Sequence, residues 1–540
     1  MRGAKSAKWV AGAAVVALAA TACGGGDGDS KGKGGSSGGV ISMEIGEPQN
    51  LLVPSNTYET EGGEVVKAVF TGLTKLNEKN EVVNDLAQSI ETKDSKVWTI
   101  KLKPGYTFHN GEAVTAKSFV DAWNYGANQD NAQQTNPLFS HIAGFKDLNP
   151  GKGKKVATKE LSGLKAVDDN TLQVTLETPF SAFTSQLSFS AFMPLPKVFF
   201  DNPKAFGEAP IGNGPYKMSG SFKHNDKISV VKYDKYPEAS KYEVKGINFK
   251  IYSNSDTSYK DLVAGNLDID DSIPTSGLAT YKKDLGERAI DESDSGVGYI
   301  GFPLKYNEAF KNKDLRKALS MAIDRKTIAE KIFLGSRMPA DDFISPIITG
   351  YRPGICGDAC KLDAAKAKEL YKKSGGLPND TLEIGYNADG DHKGWIEAVA
   401  NQIQQNLGIK VTAKPFEQFQ TILNDLDAKK YSGGFRMGWN MDYPNAENYL
   451  RPIFSKDAIE NGSNYAGYTN ENFEKLLVQG DQGKTPEEAV KGYQAADDIL
   501  LDEMPYIPVY FYKLNAGYSS KIKSMKIAGG DVLWDTVKLS

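Results

Sequence analysis

Residues 87–123 read AQSIETKDSKVWTIKLKPGYTFHNGEAVTAKSFVDAW. Trp98, Ile100 and Leu102 alternate with polar residues, which predicts a half-buried strand over Val97–Lys103. Asn110-Gly111 predicts a tight hairpin turn, because Gly accepts the positive φ such turns need. Thr115 then stands as an N-cap in front of a helix over Ala116–Tyr125. The same alternation recurs in Thr171–Glu177, through Leu172, Val174 and Leu176, and in Ile247–Ile251, through Ile247, Phe249 and Ile251. The second half is more helical. Asp314–Phe333 carries Leu315, Ala318, Leu319, Ala322 and Ile323 at helical spacing, with Gly335 just past its end. Asp363–Lys373 reads as a helix stopped by Gly375-Gly376. Thr485-Pro486-Glu487-Glu488 is a capping box that opens a helix to about Asp502. Tyr506–Tyr512 (YIPVYFY) reads as a buried strand. Strands and helices alternate along the chain, so the fold class is α/β; no internal repeat is found.

The chain has 540 residues, more than one hydrophobic core can serve, which predicts about two to four domains. Its composition is that of a soluble globular protein, 40% hydrophobic and 24% charged, with a net charge of −4. No strongly basic face is implied, so nucleic acid is not expected as a partner. The first residues carry Arg2, Lys5 and Lys8, then an apolar run Val10–Ala20 too short to span a bilayer. Ala20-Thr21-Ala22 before Cys23 fits a lipoprotein cleavage site, with residues 1–22 as signal peptide and Cys23 lipidated. The Leu usual three positions before such a Cys is Ala20 here, and ordinary secretory cleavage after Ala22 is the alternative. Gly24–Gly39 is Gly, Ser, Asp and Lys, a flexible tether reaching about 20–25 Å by random-coil scaling. The expected location is therefore the outer face of the cell membrane, held by acyl chains.

Cys356 and Cys360, in GICGDAC, are predicted to form a local disulfide, which export permits. A CxxxC metal site is the rival, but no His or third Cys lies close by. The chain has only 4 His. His109 sits in the hairpin FHNGE, and His141 and His224 have no partners at ligand spacing. Gly483-Lys484-Thr485 resembles the end of a phosphate loop, but Val478 stands where the first Gly is required, and Thr485 is better used as a cap. No HExxH is present, and no GxSxG outside the tether. Nothing marks a catalytic constellation, metal site or cofactor site, so a binding protein is favoured over an enzyme.

FRMGWNMDYP, Phe435–Pro444, places Arg436 and Asp442 on either side of an aromatic, Gly-containing segment. Two readings stand. Asp442 is the N-cap of a helix beginning at Tyr443-Pro444, with the rest plain packing; or the segment binds a ligand charged at both ends.

The chain resembles the oligopeptide-binding family, the large extracellular solute-binding proteins of peptide ABC importers. Ala87–Lys103 matches the family signature and runs into its hairpin and helix. Asn213-Gly214-Pro215-Tyr216 looks like its Gly-Pro-Tyr turn. Lys313–Arg325 (KDLRKALSMAIDR) looks like its most familiar helix, and Trp439–Pro444 like the segment that holds the peptide amino terminus. The resemblance runs from about Val40 to the end. It implies a bilobed periplasmic-binding-protein-like fold with an additional domain and a ligand cleft between two jaws. The first lobe would be discontinuous, 40–58, 178–290 and 509–540, with residues 59–177 as the extra domain and 291–508 as the second lobe, after a lipidated, tethered 23–39.

The resemblance also implies that an extended peptide pairs its backbone with Gly438–Asn440 on one jaw and Tyr58–Thr60 near the other. Asp442 would take the peptide ammonium. Arg436 and His392 would form a basic pair for the carboxylate. Phe419 would line a side-chain pocket, with Trp439, Asn440, Tyr443 and Thr60 around the ligand. A further family base, on the helix after Phe419, has no counterpart in LNDLDAKK. The expected partners are oligopeptides and the permease subunits of an ABC importer, with the protein a monomer. The alternatives are a non-peptide solute such as a glycan or metal chelate, a signalling peptide, and, least favoured, a secreted hydrolase.

Overall fold

The alternating residues of the signature segment become a strand, Val97–Leu102, with Trp98, Ile100 and Leu102 buried. It lies inside a four-stranded antiparallel sheet ordered Ala87–Thr92, Val97–Leu102, Thr171–Thr175, Leu164–Asp168. The helix Ala116–Ala127 packs its Phe119 and Trp123 against the same core, and Thr115 and Ser118 close its first turn as a reciprocal capping box. Gly111 takes the positive φ that the hairpin requires. The computed structural model describes residues 39–151 and 153–540. The expected leader, the lipidation site Cys23 and the tether up to residue 38 lie outside the described residues.

The largest sheet has 11 strands, and two of them organise it: Ala289–Gly301 and Tyr506–Tyr518, of 13 residues each. They pair antiparallel, but their register breaks between Ser293 and Val297. On one side of the break stand Ile269–Asp270, Val40–Ile45, Gly246–Ile251, Lys227–Lys232 and Tyr216–Met218. On the other stand Gly434–Trp439, Thr381–Asn387 and Lys410–Phe416, and the short strand Arg337–Pro339 pairs with Tyr506–Tyr518 off this path. Each side contains a parallel β-α-β unit. The helix Ser255–Ala264 follows Gly246–Ile251, and the helix Lys393–Leu407 links Thr381–Asn387 to Lys410–Phe416.

Buried apolar residues separate along the same line. One cluster collects residues from Ile41 to Phe249, Ile269 and the C-terminal Ala516–Val537, with Tyr443 reaching into it from the other side, and another runs from Val297 to Phe511. A small third cluster, Tyr259 to Leu285, flanks the first. Two packed bodies thus share two strands, and the register break lies where the strands pass from one to the other. Such a joint bends more easily than either core, because few side chains must repack.

Most helix boundaries follow their end signals. Asp363 caps Ala364–Lys373, and Thr485 caps Pro486–Glu503. The expected helix Asp314–Phe333 is broken instead. Lys313–Met321 ends before Asp324, whose side chain accepts from the Thr327 N–H and so caps a new helical start. The buried Arg325 side chain donates to the Ser320, Cys360 and Pro508 carbonyls, at 3.1, 3.1 and 2.8 Å. Apolar spacing continued through the break, but the backbone bonds did not. Cys356 and Cys360 are joined by a disulfide, with Cα atoms 5.6 Å apart.

Candidate ligand-binding cleft

The strand Gly434–Trp439 buries Phe435 and Met437. One edge pairs with Val297–Gly301 along residues 435–439, while the other is paired to Ile384 and Gly385 only at residues 434 and 435. From Arg436 onward the second edge has no strand partner among the described residues. Alternate N–H and C=O groups along an antiparallel strand point to opposite edges, so this edge offers backbone donors and acceptors.

Arg436 is 9% exposed, yet it has no ion-pair partner among the described residues. Its Nη1 donates to Asn387 Oδ1 at 3.1 Å, and its Nε has no hydrogen-bond partner. The Phe419 ring lies 5.7 Å from its guanidinium carbon. Phe419 is partly exposed at the start of the helix Phe419–Asp427. Tyr510 packs against the neighbouring strand, so closely that a Cβ on Gly298 would collide with its ring. An unpaired buried cation is costly, so an anion placed beside it would be stabilised.

His392 lies in the same electrostatic neighbourhood. Trp395 Nε1 donates to its Nδ1 at 3.2 Å, which leaves the proton on Nε2. Burial and the Arg436 charge push its pKa down to about 3. In the ligand-free fold burial and Arg436 thus hold His392 toward its neutral form, a donor beside one arginine.

Asp442 follows the strand. Its Oδ1 accepts from the Tyr58 hydroxyl at 2.7 Å, and its Oδ2 from Asn448 Nδ2 at 3.1 Å. Burial holds its carboxyl above the usual range, and no cation pairs with it among the described residues. It is not a helix cap. The next helix is Glu447–Phe454, and Asn445, not Asp442, accepts from the Glu447 N–H. Tyr58 reaches Asp442 from a segment packed on the first core, where its ring meets Phe189 at 5.9 Å. A second bond across the cleft joins Thr275 Oγ1 to Asp391 Oδ2 at 2.6 Å.

The other expected residues divide. Trp439 is half-buried with its indole N–H unpartnered, and Asn440 is exposed beside it. Gly438 lies on the unpaired edge, opposite Gly298 on the paired side. Tyr443 is buried, with its hydroxyl on Glu447 Oε2 at 2.5 Å. Thr60 opens the helix Thr60–Val69, so the extended backbone expected over Tyr58–Thr60 ends at Glu59. Arg337, unnoticed in the sequence, stacks 4.3 Å over the Tyr512 ring, with its Nε unpartnered. Arg337, His392 and Tyr512 face Asp271 and Thr275 across a cavity of about 540 Å³. Asp442 borders a second cavity, of about 200 Å³, with Met441 and Phe189. No spacing rule could have found Arg337, because its partners Phe333 and Tyr512 come from separate elements.

The family model for bacterial extracellular solute-binding proteins, family 5, matches residues 81–461. The chain belongs to that family. Its members carry solutes and are not enzymes. The chain is 31% identical over 520 residues to the oligopeptide-binding protein OppA of Bacillus subtilis (strain 168), covering 92% of each. It is 30% identical over 464 residues to the dipeptide-binding protein DppE of the same organism, covering 82% of this chain and 81% of DppE. Among solved structures, the periplasmic murein tripeptide-binding protein MppA in its unliganded open form superposes with a TM-score of 0.81, at 24% identity, over 93% of this chain and 98% of MppA. The binding protein's bilobed α/β architecture is thus the family's own.

Proposed function

We propose that this binding protein captures extended oligopeptides outside the cell and delivers them to the permease of an ABC importer, anchored to the membrane through Cys23. One observation carries the reading: a buried cation, Arg436, on an unpaired strand edge and a half-buried carboxylate, Asp442, just past the strand's end stand without counter-charges among the described residues. A peptide supplies what is missing at each point. Its ammonium matches Asp442, its carboxylate matches Arg436 with the His392 N–H beside it, and its backbone pairs with Gly438–Asn440. Peptide-binding names among the relatives support the same cargo.

Side chains would project away from the pairing strand into the cavities, where water completes their bonding. Backbone recognition of this kind tolerates many sequences. From Arg436 to Asp442 an extended chain spans at most about 20 Å, so peptides of roughly four to six residues fit end to end. Capture then proceeds by closing the two bodies about their shared strands. Mass spectrometry of ligands released from natively purified protein tests the reading. Peptides of mixed sequence and narrow length are expected; recovery of a glycan, metal chelate or other non-peptide solute would refute it.

A further inference from the structure

Away from the peptide edge, three carboxylates meet at the C-terminal ends of neighbouring parallel strands. Glu44 lies near the end of Val40–Ile45, Asp270 ends the short strand Ile269–Asp270, and Asp271 follows it. One oxygen from each lies within 4.8 Å of the others. Asp270 is 0% exposed; its Oδ1 accepts from the Ser272 N–H at 3.2 Å, the Ser258 hydroxyl lies near its carboxyl, and its Oδ2 makes no hydrogen bond of good geometry. None of the three is ion-paired with a lysine or arginine among the described residues. The charged neighbours that act on them are the acids Glu61 and Asp531, the latter ion-paired with Lys67. Burial and the neighbouring acids push Glu44 to about 8 and Asp271 to about 7, while burial alone raises Asp270 to about 6 against hydrogen bonds from Ser258 and Ser272.

We infer that Glu44, Asp270 and Asp271 form a site for a hard divalent cation of calcium size in the wall of the first body. Oxygen ligands of calcium lie about 2.3–2.6 Å from the ion, so oxygens sharing one ion stand no more than about 5 Å apart, as these do. The ligand set is carboxylate only, which suits calcium and not zinc or copper. Asp271 borders the cavity of about 540 Å³, through which an ion and its remaining water ligands can enter. Three clustered carboxylates without a lysine or arginine of their own favour a cation over an empty site, and the wholly buried Asp270 carboxylate supplies the deepest ligand. A cationic side chain of a bound solute is the competing source of charge. The inference stands whether or not the solute is a peptide.

The test uses the mature protein stripped with EDTA and returned to chelator-free buffer near neutral pH. Calorimetric titration and thermal unfolding are followed with CaCl2, MgCl2 and trilysine as separate probes. Calcium is expected to bind at one site, with a Kd of about 10⁻⁴–10⁻³ M, and to raise the Tm saturably. Glu44→Gln and Asp270→Asn should weaken binding at least about tenfold and erase the Tm rise. Asp270 is wholly buried, so if Asp270→Asn does not fold, the half-buried Glu44→Gln carries the comparison. No response to calcium up to about 10 mM, or a response unchanged in Glu44→Gln, overturns the site. So does trilysine binding that depends on Glu44 while calcium binding is absent, which would make the cluster a solute subsite.

Discussion

Replacing Asp442 by Asn removes one charge and little else. The Asn side chain keeps a hydrogen-bond acceptor for the Tyr58 hydroxyl, now at 2.7 Å, and remains beside Asn448. The ligand-free protein should unfold at the same temperature or slightly higher, because a half-buried carboxylate without a cation has gone. Binding should respond very differently. Removing one partner of a hydrogen-bonded charge pair enclosed by ligand binding costs about 2–5 kcal/mol, and the ammonium would lose its anionic acceptor. With the substituted amide still able to accept one hydrogen bond, a loss of about 3 kcal/mol is expected, roughly 150-fold in Kd. Calorimetry with a pentapeptide and its N-acetylated form separates this effect from general damage. Wild type should bind the acetylated peptide weakly, and Asp442→Asn should change that affinity less than about threefold. Equal losses for both peptides would show that Asp442 does not hold the amino terminus.

Arg436→Met should cost free-carboxylate peptides about 2–4 kcal/mol and C-amidated peptides much less, while leaving the unfolding temperature unchanged or raised. Similar losses for the two ligands would leave Arg436 a structural residue. His392, neutral until about pH 3, should add no step near pH 6.5 to the affinity profile, whereas protonation of Asp442, whose carboxyl is raised, should weaken binding on the acid side. A pH 6.5 step abolished by His392→Gln would contradict the neutral assignment. For stability the sign is fixed: a lowered folded-state pKa gives His392 stability present above about 6.5 and lost as pH falls toward 3. His392→Gln should therefore flatten that part of the acid-unfolding curve. Gly298→Ala drives a methyl into the Tyr510 ring and should destabilise by about 1–3 kcal/mol, read from urea midpoints. Reducing the Cys356–Cys360 bond opens a short loop and should cost about 2 kcal/mol or less.

Local pattern was enough wherever structure is local. Alternation located the strand Val97–Leu102, and capping side chains located Ala364–Lys373 and Pro486–Glu503. It failed at Asp324, because the apolar face continues across the break while Arg325 draws its bonds from Ser320, Cys360 and Pro508. It also failed at Asp442. The local rule for an acid before Tyr-Pro is a helix cap, but Asn445 took that role, and a tyrosine 384 positions earlier took the carboxylate.

The α/β class, the run of strands and helices and, through its motifs, the family were all legible in the chain before any fold was known. These depend on periodicity and end signals that residues a few positions apart carry together. Arg436 and Asp442 could be singled out in the same way. That both lack counter-charges could not, since it is a statement about every other charged residue in the described fold. Long-range contacts settle the remainder. The strand edge past Arg436 is open because Thr381–Asn387 stops pairing there. His392 is held toward the neutral form because the fold buries it and sets Arg436 beside it. Glu44 meets Asp270 because parallel strands bring their carboxyl ends together across more than two hundred residues of chain.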